Sequence, residues 1–302
     1  MTPRSWLASY PKSGNTWFRL IVANLDAEDD NSLATGSSGT PDLMASARAP
    51  FDDMLLLESG LLTHDECAAL RPLFHRAELM QDGNGVFRQE AERPHSTKMG
   101  YRLTKTHDAW SYLPDGQPVL GGAQAAGNAI LMVRDPRDIA PSLANHMGFS
   151  IDQAIDFMND PDASLSGRRH EQTLQLRQLL MCWSEFNASW LDQTSIPVHC
   201  IRYEDMQEAP MAAMSAALAA CGRAVDTERL RRAIERTSFD TLHKLEEESG
   251  FAEAYRGRRF FRRGVSGAWR DELTRGQVKR IERNHAAMMD RLGYEAAFYS
   301  EF

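Results

Sequence analysis

The chain has 302 residues, of which 42% are hydrophobic and 25% charged, a composition that excludes a collagen-like or wholly disordered protein. Its 42 acidic and 34 basic residues give a formal charge of −8, which argues against a nucleic-acid partner because such binding requires a basic surface. No run approaches the roughly 18 apolar residues of a membrane span, and Pro11 and Lys12 interrupt any signal-peptide apolar region. We therefore expect a cytoplasmic protein that binds neither nucleic acid nor membranes.

Short β-rich runs alternate with longer helical patterns along the chain. The predicted strands are residues 5–10, 101–106, 129–133 and 198–203, and the predicted helices are residues 16–25, 63–80, 136–146, 151–159, 168–193, 210–221, 226–236 and 275–291. Strands separated by helices in this way are typical of a parallel sheet with helices on both faces. We predict a single α/β domain over residues 1–302, in which residues 26–100 form a variable region of helices and loops without a clear strand.

The four cysteines are far apart in the sequence and show no metal-binding spacing. Cys67, Cys182, Cys200 and Cys221 lie in apolar or helical stretches, and none belongs to a Cys-x-x-Cys motif. We expect reduced, buried thiols and no metal site.

A strand, a loop and a helix follow one another around residues 10–17. Backbone N–H groups and the positive end of a helix favour phosphate in such a loop. Gly14 allows close approach of the backbone, and Lys12 adds a mobile positive charge. Because Lys12 precedes Gly14, the order differs from the P-loop of kinases and GTPases. From these residues alone, phosphate binding and an ordinary surface turn with an exposed lysine are equally open.

Residues 10–17 read YPKSGNTW and closely resemble the 5′-phosphosulfate-binding loop of the cytosolic-type sulfotransferases, usually written YPKSGTTW. Those enzymes transfer a sulfuryl group from 3′-phosphoadenosine 5′-phosphosulfate (PAPS) to an acceptor and release 3′-phosphoadenosine 5′-phosphate (PAP). The resemblance implies a P-loop-like α/β fold, PAPS as the co-substrate and no metal. It assigns nucleotide binding to the loop residues Pro11, Lys12, Ser13, Gly14, Asn15, Thr16 and Trp17, of which Asn15 departs from the family pattern.

A second motif, Lys105-Thr106-His107, ends the predicted strand at residues 101–106. The alternation of a strand places Lys105 and His107 on one face. A base beside a fixed cation suits the deprotonation of a hydroxyl next to a polyanion, although a lone strand-end histidine more often bonds to the backbone. The sulfotransferases have a Lys-x-His in this place with the histidine as the catalytic base. The resemblance therefore implies that role for His107.

Arg134 follows the buried strand at residues 129–133, at the strand end where open α/β sheets bind ligands. Ser142 lies two turns inside the next predicted helix. The same arginine–serine spacing binds the 3′-phosphate in the sulfotransferases, which implies this role for Arg134 and Ser142. Pro141 removes a helical N–H group just before the serine, so we expect a kink there. The alternative for Arg134 is an ion pair with Asp138 alone.

Three C-terminal segments extend the resemblance. It implies that Tyr203, Thr237 and Phe239 lie on the adenine side of the nucleotide, and that Phe261, Arg262, Arg263 and Gly264 lie on its 3′-phosphate side. Adjacent guanidinium groups offer forked donors for a phosphate, and Trp17 and Phe239 would supply the rings that stack the base. The alternative for the arginines is a solvated basic loop in an acidic protein.

Four motifs in the family's order predict a PAPS-dependent sulfotransferase of the EC 2.8.2 type. We infer an in-line transfer in which His107 takes the acceptor proton while Lys12 and Lys105 stabilise negative charge. The alternatives are an ATP-dependent small-molecule kinase with an irregular P-loop, which needs Mg²⁺, and a catalytically silent nucleotide-binding or scaffold protein.

The acceptor is predicted to be a small-molecule hydroxyl or phenol. We expect the loops at residues 26–50 and 81–98 to close over it, and the candidate lining residues are Phe51, Phe87, Trp110 and Phe149, with core packing as the alternative for each. The oligomeric state is open, because the stretch from Arg270 to Lys279 departs from the segment that forms family dimers.

Overall fold

Four parallel strands form the central sheet of the computed structural model, which describes residues 4–27, 44–80, 102–167, 174–254 and 258–298. The strands in this part of the chain are β1 (Arg4–Ser9), β2 (Arg102–Thr106), β3 (Asn128–Val133), β4 (Ser164–Leu165), β5 (Gln178–Leu179) and β6 (Val198–Arg202). The order in the central sheet is β2-β1-β3-β6, and β4 pairs with β5 as a short antiparallel ladder. The predicted parallel sheet is confirmed.

Helices connect and cover these strands. Those within the described residues are α1 (Asn15–Asp26), α2 (Arg48–Leu55), α3 (His64–Met80), α4 (Pro136–Met147), α5 (Ile151–Asn159), α6 (Trp183–Asp192), α7 (Tyr203–Glu208), α8 (Pro210–Ala220), α9 (Thr227–Arg236), α10 (Phe239–Ser249), α11 (Trp269–Glu272) and α12 (Arg275–Arg291). Of these described helices, none has the length and apolar character needed to cross a membrane.

The central sheet is covered on both faces, as predicted. Successive residues of a strand point to opposite faces of a sheet. In β3, Leu131 and Val133 pack in the apolar cluster that includes α4, α5, α6 and α12. Ile130 and Met132 pack in a second cluster, which includes α1, α8 and α9. Because β3 is buried on both sides, its sequence is a continuous apolar run rather than an alternating one.

The carboxyl ends of the strands meet at one edge of the sheet. In the parallel ladders, Ala8 of β1 lies opposite Thr106 of β2, and Ser9 lies opposite Met132 of β3. Val133 in turn lies opposite Arg202 of β6. The loops that follow these four strands therefore begin next to one another, at the edge where open parallel sheets bind ligands.

The helix predicted over residues 168–193 is confirmed over α6 and is wrong over residues 174–182. Residues 168–173 lie outside the described residues, and from 174 to 193 only α6 is helical. The N–H group of Leu176 donates to the Ser46 carbonyl at 2.7 Å, and that of Leu180 to the Ala163 carbonyl at 2.8 Å. Backbone pairing with two distant segments thus overrides the local helical pattern. Helices α2, α7, α10 and α11 were not predicted.

Candidate active site

The loop between β1 and α1 brings a lysine and a helix start to the edge of the sheet. Lys12 and Gly14 have left-handed backbone torsions, with φ of 70° and 96°. A side chain at position 14 has no room, because its Cβ would lie 2.5 Å from Cδ2 of Tyr203. Helix α1 has no side-chain cap, so no side chain competes for the first N–H groups of the helix. This arrangement suits a phosphate.

Asn15, where the loop departs from the family pattern, turns its side chain into the protein. Its Nδ2 donates to the Leu7 carbonyl at 3.3 Å and to Ser9 Oγ at 3.2 Å. Ser9 Oγ in turn lies 3.3 Å from Nδ1 of His107. The amide therefore ties the start of α1 to β1 and, through Ser9, to the histidine of the second motif.

His107 follows β2 and is oriented by a backbone carbonyl. Its Nδ1 lies 2.6 Å from the Ser9 carbonyl oxygen, which can only accept, so Nδ1 carries the proton and Nε2 the lone pair. The backbone N–H group of His107 donates to Gln178 Oε1 at 3.3 Å. Burial and the positive charge of Lys105 lower the pKa of His107 to about 3. The imidazole is therefore neutral before the donor binds, and an anion beside Lys105 would offset the charge that disfavours protonation of Nε2.

Two lysines bring buried positive charge to the same place. The Nζ of Lys12 lies 3.8 Å from the centre of the Phe260 ring, a cation–π contact. Burial, with the neighbouring charges of Arg134 and Lys105, lowers the pKa of Lys12 to about 8. Burial also lowers the pKa of Lys105 to about 8. Burial disfavours the charged form of both lysines, and a nearby anion would stabilise it. The site therefore favours anionic ligands.

A carboxylate, that of Glu253, lies among these cations. Its Oε2 accepts a hydrogen bond from Thr16 Oγ1 at 2.8 Å, and its Oε1 accepts one from Arg19 Nη1 at 3.0 Å. The Nζ of Lys105 is 3.9 Å from Oε2. Burial would raise the pKa of Glu253, but Lys105, Arg19 and Thr16 together outweigh it and lower the pKa to about 2. The carboxylate is therefore charged at any working pH.

Arg134 extends from the end of β3 across the site. Its guanidinium carbon lies 4.3 Å from the centre of the Tyr203 ring. Its Nε is buried without a hydrogen-bond partner, which leaves a donor for a ligand. Asp138 instead accepts the backbone N–H groups of Gly267 and Trp269, at 2.6 and 2.9 Å. The alternative in which Arg134 pairs only with Asp138 is not the arrangement in the structure.

Arg262 and Arg263 contact acidic side chains of α11. Nη2 of Arg262 donates to Glu272 Oε1 at 2.9 Å, and Nη1 of Arg263 lies 3.7 Å from Asp271 Oδ2. Both arginines line the cavity described below. A phosphate that binds Arg262 must therefore compete with the Glu272 carboxylate.

Aromatic side chains form one end of the site. Nε1 of Trp17 donates to the Thr237 carbonyl at 2.9 Å, and the Trp17 ring centre lies 5.9 Å from that of Tyr203. Phe239 packs on the backbone of Gly264, which has φ of +63° and at which a Cβ would overlap the Phe239 ring. Only glycine fits there. Flat rings at the border of an open cavity suit a stacked base.

Most of these groups border one cavity of about 520 Å³. It brings together most of the predicted site residues, namely Pro11, Lys12, Gly14, Asn15, Thr16, Trp17, Lys105, His107, Arg134, Ser142, Tyr203, Phe239, Phe261, Arg262, Arg263 and Gly264. Ser13 and Thr237 are fully buried and do not line it. Helix α4 continues through Pro141, so the expected kink does not interrupt the helix that carries Ser142.

A part of the cavity surface is mostly apolar. We call it the apolar wall, and it consists of Met44, Ala47, Met147, Leu165, Leu174 and Gln175. Backbone hydrogen bonds fix it beside β2, because Ala45 N–H donates to the Lys105 carbonyl at 2.9 Å and Arg48 N–H to the Leu174 carbonyl at 3.0 Å. Met44 and Ala47 belong to the loop predicted at residues 26–50, which therefore reaches the cavity.

Beyond the apolar wall, four further polar side chains line the cavity and were not predicted: Arg19, His146, Gln207 and Glu253. The first three lie one helical turn beyond a predicted residue, a spacing that places them on the same face. Burial, Lys12 and Lys105 lower the pKa of His146 to about 4. Gln207 Nε2 lies 3.3 Å from the Tyr203 hydroxyl. Nothing in the local sequence marks Glu253.

Three of the four aromatic residues predicted to line the acceptor pocket, Phe51, Trp110 and Phe149, do not border the cavity. Phe51 is 0% and Trp110 3% exposed, and each packs against another aromatic ring of the core. Phe149 packs against the ring of Phe157. Core packing, the alternative considered for these residues, is the arrangement of Phe51 and Trp110, whereas Phe149 is partly buried. Phe87 and residues 81–98 lie outside the described residues.

The cavity thus combines a neutral imidazole, buried ammonium and guanidinium groups and aromatic rings. Among the described residues, no group of three or more His, Cys, Asp or Glu side chains is placed to hold a metal ion. A base next to fixed positive charge can deprotonate a hydroxyl and stabilise the anion of a leaving group.

Comparisons with known proteins agree with this geometry. The sequence matches the sulfotransferase domain family over residues 2–293. A similar solved structure is that of mouse sulfotransferase SULT7A1 complexed with PAP, at 17% identity and a TM-score of 0.55, covering 96% of this chain and 85% of that chain.

Two further structures are of retinol dehydratase. One, with androsterone and the inactive cofactor PAP, has 17% identity and a TM-score of 0.53, covering 99% of this chain and 83% of that chain. The other, with retinol and PAP, has 16% identity and a TM-score of 0.53, covering 96% of this chain and 82% of that chain. A comparison with curated proteins found no match.

These likenesses confirm the predicted P-loop-like α/β fold. The family match over nearly the whole chain confirms the predicted reaction class, PAPS-dependent sulfuryl transfer, and leaves the kinase and scaffold alternatives without support. The chain belongs to the sulfotransferase family.

Proposed function

We propose that this protein transfers the sulfuryl group of PAPS to a hydroxyl of a small apolar molecule, with His107 as the general base. The setting of His107 carries the proposal. Its Nδ1 is bonded to the Ser9 carbonyl at 2.6 Å, and it lines the same cavity as Lys12 and Lys105. A neutral imidazole with a fixed tautomer takes up a proton at Nε2, next to cations that stabilise negative charge.

The basic side chains of the cavity would hold the anionic groups of the nucleotide. We call them the charged wall, which consists of Lys12, Lys105, Arg134, Arg262 and Arg263. Lys12 and the uncapped start of α1 suit the 5′-phosphosulfate. Arg134, with its buried and unpartnered Nε, suits the 3′-phosphate together with Ser142.

During transfer, His107 Nε2 would accept the hydroxyl proton while the acceptor oxygen bonds to sulfur. The bond between sulfur and the bridging oxygen of PAPS breaks, and Lys12 would stabilise the charge that develops on this oxygen. The products are PAP, a sulfate ester and a protonated His107. Like phosphoryl transfer, the step depends on positioning and electrostatics.

The apolar wall supports an apolar acceptor. Its side chains carry no charge, and it lies directly beside the β2 end that bears Lys105 and His107. Retinol dehydratase, which has a similar fold, was solved with retinol and with androsterone. We therefore propose an apolar alcohol or phenol, whose hydrocarbon part contacts the apolar wall while its hydroxyl reaches His107.

A thermal-shift comparison of three nucleotides without magnesium tests the nucleotide assignment. PAP should raise the melting temperature clearly, whereas adenosine 5′-monophosphate and ATP should do little, because only PAP has a 3′-phosphate. Charge-assisted hydrogen bonds contribute about 1.5–3 kcal/mol each, so Arg134→Ala and Arg263→Ala should each remove most of the advantage of PAP. Arg231→Ala, on the exposed surface of α9, is the matched control and should behave like the wild type.

Two results would overturn this assignment. One is equal stabilisation by all three nucleotides, and the other is stabilisation by ATP only when Mg²⁺ is present. With PAPS as donor, a panel of apolar alcohols and phenols then identifies the acceptor class by formation of sulfate ester and PAP.

A further inference from the structure

The carboxylate of Glu253 lies where the nucleotide site needs an anion. Three donors converge on it from two different elements: Thr16 and Arg19 from α1, and Lys105 from the end of β2. The distances to its oxygens are 2.8 Å from Thr16 Oγ1, 3.0 Å from Arg19 Nη1 and 3.9 Å from Lys105 Nζ. Glu253 itself is 234 residues from Arg19 in the sequence. The convergence is therefore a tertiary arrangement and not a local ion pair.

Two of these three donors already have a predicted role, Thr16 in nucleotide binding and Lys105 in catalysis, and the third does not. Thr16 lies in the first turn of α1, and Lys105 in the Lys-x-His motif. Arg19 lies one turn beyond Thr16 and lines the same cavity, with its side chain 20% exposed. Because all three contact one carboxylate, they can also contact one oxyanion group of a ligand.

We propose that Thr16, Arg19 and Lys105 form a single anion subsite for the phosphosulfate end of the donor, and that Glu253 is an internal anion that occupies this subsite until the donor displaces it. The proposal rests on the function proposed above and adds two residues to it. Arg19 is a donor-binding residue, and Glu253 is an intramolecular competitor of the donor.

Electrostatics require the displacement. With a pKa of about 2, Glu253 is charged at any working pH, so it cannot leave the site by losing its charge. Two anions in one buried subsite repel each other, and each donor hydrogen of Thr16 or Arg19 bonds one acceptor well.

A similar contact lies at the other end of the charged wall. There Arg262 donates to the Glu272 carboxylate, with Nη2 to Oε1 at 2.9 Å. Without nucleotide, both ends of the basic site are therefore neutralised by carboxylates of the same chain. An internal competitor weakens the apparent affinity for the donor, because the apparent Kd is the intrinsic Kd divided by the fraction of molecules in which the subsite is free.

The test measures PAP affinity, and PAPS affinity without acceptor, by titration calorimetry for a cycle of variants. Glu253→Gln should tighten binding at least about tenfold, because the internal competitor is lost. Glu248→Gln removes the same charge from an exposed position of α10, where it pairs with Lys244, and is the matched control. Its affinity should stay within about twofold of the wild type.

Arg19→Gln gives the decisive comparison. In the wild-type background this substitution weakens both the binding of the donor and the contact of Glu253 with the subsite. The apparent affinity for PAP should therefore change less than about threefold. In the Glu253→Gln background only the donor is affected, and affinity should fall at least about tenfold. An equal or larger loss in the wild-type background would overturn the proposal, because Arg19 would then serve PAP binding with Glu253 still in place.

A structure with PAPS or PAP bound gives a second measurement that does not depend on the variants. Glu253 still bonded to Arg19 and Thr16 in that complex would also overturn the proposal. Failure of the wild type to bind PAP at all would instead overturn the proposed function. The two failures are therefore distinguishable.

Discussion

The charged wall and the apolar wall of the cavity are built in different ways. The charged wall begins where regular elements end: Lys12 follows β1, Lys105 lies in β2, and Arg134 follows β3. Its members are also tied to each other, since Nη1 of Arg134 donates to the Lys12 carbonyl at 3.2 Å. The apolar wall comes mostly from irregular segments, around residues 44–47 and 174–175, which pair with each other through a few backbone bonds.

This difference shows which part of the site is determined by the fold. A parallel sheet with right-handed crossovers places its strand ends together whatever the loops contain, so the position of the charged wall follows from the topology. The apolar wall depends on how two irregular segments pair beside β2. Loops of this kind tolerate change better than the elements that they connect. We therefore expect nucleotide binding and acceptor choice to respond to different substitutions.

The largest expected effect is on turnover and separates chemistry from nucleotide binding. His107→Ala removes the base that takes the acceptor proton, so kcat should fall about 100-fold or more. PAP affinity should stay nearly unchanged, because the neutral His107 contributes no charge to the charged wall. Steady-state kinetics and calorimetry check the two parts. Near-normal turnover on every accepted substrate would rule out His107 as the base.

Lys12→Ala should lower kcat by about 10- to 100-fold and weaken PAP binding by less. Charge on the bridging oxygen grows as the bond to sulfur breaks, so an ammonium group next to it acts more strongly in the transition state than in the ground state. The comparison requires kcat at saturating PAPS and the dissociation constant of PAP for the same preparation. If PAP binding is lost while kcat at saturating PAPS is retained, Lys12 only binds the nucleotide and does not stabilise the transition state.

The affinity for PAP should depend on pH in a defined direction. Lys12 and Lys105 have pKa values of about 8 without nucleotide, and their charged forms bind the polyanion, so binding raises both pKa values. Affinity is therefore full below the free-state pKa and is lost progressively as pH rises from this value through the higher pKa of the complex. We expect Kd to increase at least about tenfold from about pH 7 to about pH 9.

Titration calorimetry at constant ionic strength measures this dependence. The Lys12→Ala variant is the control, and its dependence on pH should be shallower because one of the two titrating groups is absent. A dissociation constant that is independent of pH over this interval would contradict the role of buried ammonium groups in binding.

The smallest expected effect lies on the apolar wall. Leu174 is 83% exposed and lines the cavity, so its truncation creates no core cavity. Leu174→Ala should raise KM for apolar acceptors about threefold, since it removes part of the apolar contact area, and leave PAP affinity unchanged. The exposed Leu61 lies elsewhere on the surface, and Leu61→Ala is the matched control. A change in PAP affinity would show that the two walls are not separate.

The part of the site that the sequence predicts well is the part encoded locally. The loop from Pro11 to Trp17 and Arg134 each follow a short strand with a clear apolar pattern, and the Lys105–His107 pair lies at the end of another strand. Their convergence in one cavity then follows from the parallel sheet. The local pattern also indicates Arg19 and His146 once the helices are placed, because each lies one turn beyond a predicted residue.

Other features depend on contacts between distant segments and have no local signal. Glu253 reaches Thr16 and Arg19 only because the segment after α10 folds over the start of α1. Residues 174–179 have a helical pattern, yet their backbone pairs with residues 44–48 and 163–165. In both cases contacts between distant segments decide the conformation, and local sequence patterns do not predict such contacts.

The position of Trp17 has a practical consequence. The protein has six tryptophans, and five of them, Trp6, Trp110, Trp183, Trp190 and Trp269, are at most 5% exposed and do not line the cavity. Trp17 alone borders the cavity, with its indole N–H bonded to Thr237 and its ring edge against Tyr203. Trp17 is therefore an intrinsic fluorophore at the proposed adenine position. We expect the tryptophan fluorescence of the protein to change when a nucleotide binds, without any added dye.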